Sequence, residues 1–191
     1  LLVMMDRMRA AHPWYVEDLP AFAFLPHAHN GEFLEDERIA ALLAEWMVWF
    51  PTVFSCQMVA GVAVQGATDA ATQHCAALQD GSAVQDTVVV TQDNSWGLMV
   101  DVAFALEHGL PLDEPVVLTE AGRHLIYYQT MDLGDDENGP TVSLDDIVSA
   151  AVKTAHDNGL GITGSIYHRI VFHSHEEGRH ILNSVLSLPL S

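Results

Sequence analysis

The chain has 191 residues, 49% of them hydrophobic, with 26 Asp and Glu against 7 Lys and Arg, a formal net charge of −19. That length and composition exclude a disordered polymer and predict a single cored domain over residues 1–191. The charge excludes a nucleic-acid footprint, which needs clustered cations, and it opposes anionic lipid.

The acidity fits a halophilic source or a basic protein partner. Two cysteines, Cys56 and Cys75, make no disulfide framework in a chain of this length. The start, LLVMMDRMRAAHP, places apolar residues before Arg7 and Arg9, the reverse of a secretion signal. A cytoplasmic protein is the expectation. The stretch from Trp46 to Thr68 carries no formal charge and is long enough to span a bilayer. Pro51, Gln57, Gly61, Gln65 and Gly66 interrupt it, and a buried hairpin of two helices is the better reading.

Residues 1–33 are expected to be irregular, apart from a short strand over 21–25. A helix is predicted over 34–50, since Ile39, Leu42, Leu43, Trp46, Met47 and Phe50 recur at helical spacing and Pro51 ends the run. Residues 53–64 read equally well as buried helix or strand. A further helix over 68–78 completes a helical subregion spanning 34–80.

The α/β core is expected over 85–190. Thr87–Thr91 reads as a strand, and Ser95 as the cap of a helix over 95–107. Residues 115–119 and 123–129 form a predicted hairpin about Glu120, Ala121 and Gly122. An acidic loop runs from Asp132 to Pro140. Ser143 opens a helix over 144–157, residues 162–172 form a strand, and Ser174 with Glu177 caps a last helix. The order strand, helix, strand, strand, helix, strand predicts an α+β fold. Its core is ferredoxin-like (βαββαβ) in the C-terminal two thirds, with extra N-terminal helices and a C-terminal helix.

Eleven histidines are the candidates for chemistry. The segment YHRIVFHSHEEGRH holds His168, His173, His175 and His180 with Glu176, a donor set that suits Zn or Fe. Period-two geometry places His168 and His173 on opposite strand faces, while His173 and His175 meet at the strand end. His27 and His29 share one face if the chain there is extended, and they are candidate further ligands. His124 is expected on the sheet face that also carries His168, the two forming a catalytic pocket floor. The spacing of His175 and His180 is not that of an HExxH zinc site, P-loop and GxSxG strings are missing, and Gly159, Gly161 and Gly164 are too sparse to count as a phosphate cradle.

Gly122, Arg123, His124, Leu125 and Tyr127 resemble a strand of archaeo-eukaryotic primase–polymerase domains, whose histidine faces the nucleotide. The resemblance spans about ten residues. The upstream acid pair that it implies lacks its second member at Asp101-Val102-Ala103, and the net charge opposes it. Two functions remain. One is an acidic interaction or regulatory module that meets a basic protein. The other is a small metal-assisted or acid–base enzyme using the histidines.

Overall fold

The computed structural model describes residues 13–64, 88–132, 144–176 and 179–191, with the side chains of 61–64, 88–93, 144 and 176 excepted. They form an α+β fold around one large antiparallel sheet. Its strands are β1 (Trp14–Leu19), β2 (Phe22–His29), β3 (Glu32–Phe33), β4 (Phe54–Val64), β5 (Val88–Asp101), β6 (Val117–Leu118), β7 (Gly122–Asp132), β8 (Ile166–Glu176) and β9 (Arg179–Pro189). Its helices are α1 (Glu37–Met47), α2 (Val102–Glu107) and α3 (Leu144–Asp157). The sheet order is β1-β7-β9-β8-β4-β5-β2-β3, and β6 also pairs with β2.

That order forces the sheet to curl. β1 and β2 lie six strand spacings apart, about 29 Å along a flat sheet at the usual interstrand distance. Yet only Pro20 and Ala21 join them, and three residue steps reach about 10 Å. The two ends must therefore approach each other, leaving one concave and one convex face. The ends are tied further where the Thr119 amide donates to Phe22 O (2.8 Å) and the Phe22 amide to Thr119 Oγ1 (2.9 Å).

The helices cover the convex face. Beneath α3, Ile147, Val148, Ala151, Val152 and Ala155 pack on Leu125, Ile166, Leu182, Leu186 and Leu188. Beneath α1 and α2, Trp46 and Ala105 pack with Ala23, Leu25, Leu98 and Val100. Asp36 starts α1 by accepting the Arg38 amide at 2.7 Å, and Asp101 starts α2 by accepting the Ala103 amide at 2.6 Å.

Several sequence expectations are corrected. The ferredoxin-like order is replaced by the order above. Residues 14–33, expected to be irregular apart from a strand over 21–25, hold β1, β2 and β3; Asn30 and Gly31, both at positive φ, make the tight turn between the last two. Residues 54–64 are strand, and most of the expected 95–107 helix is β5, with α2 confined to its last turns. No helix among the described residues is long and apolar enough to cross a membrane. The expected hairpin of 115–119 with 123–129 does not form, because β6 pairs with β2 and β7 with β1 and β9. The expected C-terminal helix is β9, paired along both edges. The helix over 144–157 stands as read, and all four strands expected in the core share the one sheet. The helix expected over 68–78, Cys75, the acidic loop beyond Asp132 and the caps at Ser143 and Glu177 lie outside the described residues.

Candidate functional site

Among the described residues no helix lies over the concave face, which encloses a cavity of ≈ 210 Å³. Strand alternation decides what lines it. β1 contributes Tyr15, Glu17 and Leu19; β7 contributes His124, Ile126 and Tyr128; β9 contributes Val185 and Ser187. From the other arm of the curl come Tyr167 and Arg169 of β8, Phe54 and Cys56 of β4, Met99 of β5 and Phe22 of β2. The floor is apolar, with Phe24, Cys56 and Met99 buried beneath Phe22, Phe54 and Tyr167. Gly97 is needed here: a Cβ at this position would strike Leu25 O and would sit 2.6 Å from the Phe24 ring.

The polar groups fall mainly on one side. Tyr15 and Tyr128 stack with ring centroids 6.0 Å apart and their hydroxyls 3.4 Å apart. Burial and the Tyr128 hydroxyl push the Tyr15 phenol well above its ordinary pKa. Glu17 stands directly across from His124 in the β1–β7 register. His124 Nδ1 lies 2.8 Å from Ser187 Oγ, and burial lowers the pKa of this imidazole, favouring its neutral form. At the opposite wall the Arg169 guanidinium lies 4.0 Å above the Phe54 ring. Tyr167 is pushed up to about 12, first by burial and then by Cys56. The Cys56 thiol is itself pushed up to about 12 by burial and donates to His168 O at 3.4 Å. It therefore stays protonated and is a poor nucleophile.

His168, expected beside His124, is on the other face. Its register partners Gln57 and Leu186 point to the convex core. There His168 Nδ1 meets Gln57 Oε1 at 3.3 Å. Because that oxygen only accepts, Nδ1 carries the hydrogen and Nε2 is the bare acceptor. Nε2 is buried without a hydrogen-bond partner among the described residues, as are Ser184 Oγ and Gln129 Oε1 on the neighbouring strands. Burial lowers the His168 pKa to about 4. The two histidines thus form no common pocket floor.

The candidate ligands come together only in part. A bulge after Ile170 shifts the alternation, so His173 pairs with Leu182 and lies on the same face as His168 rather than the opposite one. His175 and His180 do meet, as cross-strand partners with ring centroids 4.7 Å apart, and His173 lies on their side of β8. A second bulge, between Pro26 and Ala28, splits His27 from His29. His27 stacks on Phe33 on the convex side, whereas His29 Nδ1 lies 3.1 Å from Ser95 Oγ on the concave side. The expected one-faced pair is lost to that extra residue. Among the described residues, no group of three or more His, Cys, Asp or Glu is placed to hold a metal ion. The Glu176 side chain lies outside them.

Sequence reasoning found His124, with Ile126 and Tyr128 on its strand face, but missed Tyr15, Glu17, Arg169 and Ser187. The alternation in WYVEDL and in GRHLIYY was the available signal, since period two puts Tyr15 with Glu17 and His124 with Tyr128.

No family model matches the chain, and no curated protein matches it. Among solved structures, the crystal structure of the EcmrR C-terminal domain aligns with 95% of this chain and 99% of its own, at 10% identity and a TM-score of 0.46.

Proposed function

We propose that this chain is a regulatory binding module whose concave face takes up a small, mainly apolar, aromatic molecule. The observation that supports this is the bare face itself. Among the described residues, three helices fill one side of the sheet, while the other is left open and lined by Phe, Tyr, Met and Ile with a few polar groups mainly at one side. Pockets of that composition are the usual small-molecule sites. A cavity of ≈ 210 Å³ falls below the drug-sized range, so the occupant is small, with no more than three rings. Tyr15 and Tyr128 offer a stacking wall, and His124, Ser187 and Glu17 orient a polar substituent.

The test is titration with N-phenyl-1-naphthylamine, a neutral two-part aromatic probe whose emission rises in an apolar site. Saturable binding is expected, weakened at least tenfold by Val185→Trp, which fills the middle of the cavity from β9. Equal binding by that variant, with the same melting temperature, would refute the assignment.

A second reading rests on His124 and Ser187. A neutral imidazole 2.8 Å from a hydroxyl in a cavity is the first requirement for acyl transfer. The lining backbone amides are drawn into the strand ladders, which leaves phenols rather than an amide pair to meet an oxyanion. Binding is therefore the primary reading. Hydrolysis of p-nitrophenyl butyrate abolished by Ser187→Ala would reverse that preference.

A further inference from the structure

The convex side carries a second opening, remote from the cavity. It is an apolar groove between α1 and the β2–β3 turn, walled by Phe33 and Leu34 on one side and by Ala40, Leu43 and Met47 on the other, with His27 at its base. Its walls are exposed where burial is expected: Phe33 is 78% accessible and Met47 is 52%. Just past the end of α1, Val48 and Phe50 extend the apolar surface at 76% and 60%. A run of this kind on a chain of this charge marks a contact surface rather than scattered apolar residues.

The helix explains the geometry. Ile39 and Trp46 are buried and Leu42 and Leu43 pack on the core, while Ala40, Leu43 and Met47, at steps of three and four, carry a stripe along the flank beside Ile39. Alanine at position 40 lets another backbone come close. The eleven residues of α1 span about 16 Å, the length of three helical turns. At the N-terminal end of the groove, Glu32, Glu35, Asp36 and Glu37 are all exposed. The nearby cation, Arg38, is turned aside to Glu114 O at 3.0 Å. The groove is therefore acidic at one end and apolar at the other.

We infer that this groove docks an amphipathic, cationic helix of a partner protein, with its apolar anchors between α1 and Phe33 and its Lys or Arg residues against Glu32, Glu35 and Glu37. Charge selects the occupant. A second copy of this chain brings another −19 to the contact, and an anionic membrane brings like charge. Only a basic polypeptide satisfies both ends of the groove, and helix-in-groove docking uses anchors at the spacing that α1 presents.

The experiment uses the full chain and two synthetic eighteen-residue helices with Leu at helical spacing, one otherwise Lys and one otherwise Glu. Binding is followed by fluorescence anisotropy. The Leu/Lys peptide is expected to bind, more weakly as salt rises, and the Leu/Glu peptide is expected not to. Phe33→Ser with Met47→Ser should lower the affinity at least tenfold. Both positions are exposed, so the melting temperature should hold, and N-phenyl-1-naphthylamine binding should be unchanged. Glu35→Lys with Glu37→Lys, which leaves the Asp36 cap intact, should weaken the Leu/Lys peptide in the same way. Failure of the Leu/Lys peptide to bind, undiminished binding by the variants, or equal binding of the Leu/Glu peptide would overturn the inference. So would a concentration-dependent dimer that the Phe33/Met47 variant abolishes, which would identify a second copy as the occupant.

Discussion

On the convex face, β9 presents Ser184, Leu186 and Leu188, all fully buried, to the Ala- and Val-rich flank of α3. On the concave face, the same strand presents Val185 and Ser187, only half-buried, to an open cavity. Adjacent residues of one strand thus belong to two different structures, one closed by packing and the other left to be filled. The histidines repeat the lesson. His168 is sealed into the convex side with Gln57, while His124 lines the concave side with Ser187. Which face a side chain occupies therefore matters more to its role than its residue type, and a single bulge is enough to change it.

The largest expected effect separates the two faces directly. Leu186→Ala opens a cavity in the packed side and should cost about 2–5 kcal/mol in urea unfolding. Val185→Ala, next along the chain, should cost less than about 1 kcal/mol, because its neighbours already leave space. Comparable losses would mean that the concave face is as closely packed as the convex one.

His168 gives the next effect through pH. Its folded pKa of about 4 lies below the ordinary value of 6.5, so the fold favours the neutral ring. The contribution is fully present above pH 6.5 and is lost as pH falls through 6.5 towards 4, where the unfolded chain binds the proton and the fold does not. About 2 kcal/mol should be gone by pH 5. Unfolding measured at pH 7.5 and pH 5 should show that loss in the native protein, and His168→Met should reduce it. An undiminished loss in the variant would place the titration elsewhere. His124, also lowered by burial, contributes in the same direction.

Gly97→Ala acts between the faces, at the floor of the cavity. The new methyl group must displace the Phe24 ring or the β2 backbone, and a cost of about 1–3 kcal/mol is expected. Probe binding should weaken with it, since Phe24 supports Phe22 and Phe54. A loss of stability with unchanged binding would detach the floor from the site. Ser187→Ala should have the smallest effect, within about 1 kcal/mol, because the hydroxyl faces a partly open cavity. A larger loss would make the His124–Ser187 bond structural.

Legibility in the sequence followed local chemistry. The helix over 144–157 was readable because its apolar stripe has helical period and Asn158-Gly159 stops it. The helix over 34–50 was readable for the same reason, though Asp36 starts it later and Met47 ends it earlier. The strand over 123–129 was readable from HLIYY. Residues 179–189 were misread because Ile181, Leu182, Val185 and Leu186 also fit a helical stripe; the competing alternation of Leu182, Ser184, Leu186 and Leu188 won through pairing with β7 and β8 on both sides. Trp96, Met99 and Val100 misled in the same way within β5. Asn30-Gly31 was a direct hairpin signal that went unused, and it would have turned the irregular N-terminus into strands. The cavity was out of reach, because it depends on Pro20 and Ala21 bringing opposite ends of the sheet together. His124 was anticipated there with Ile126 and Tyr128 on its strand face, and its expected companion His168 lies on the other side.

The central claim is that the concave face takes up the small molecule and that the convex core beneath α3 is closed. A titration with N-phenyl-1-naphthylamine, followed by methyl NMR, distinguishes the faces residue by residue. Shifts are expected at Leu19, Met99, Ile126 and Val185, with Val148, Val152, Leu186 and Leu188 nearly still. Shifts centred on the second group, or none in the first at saturating probe, would contradict the account.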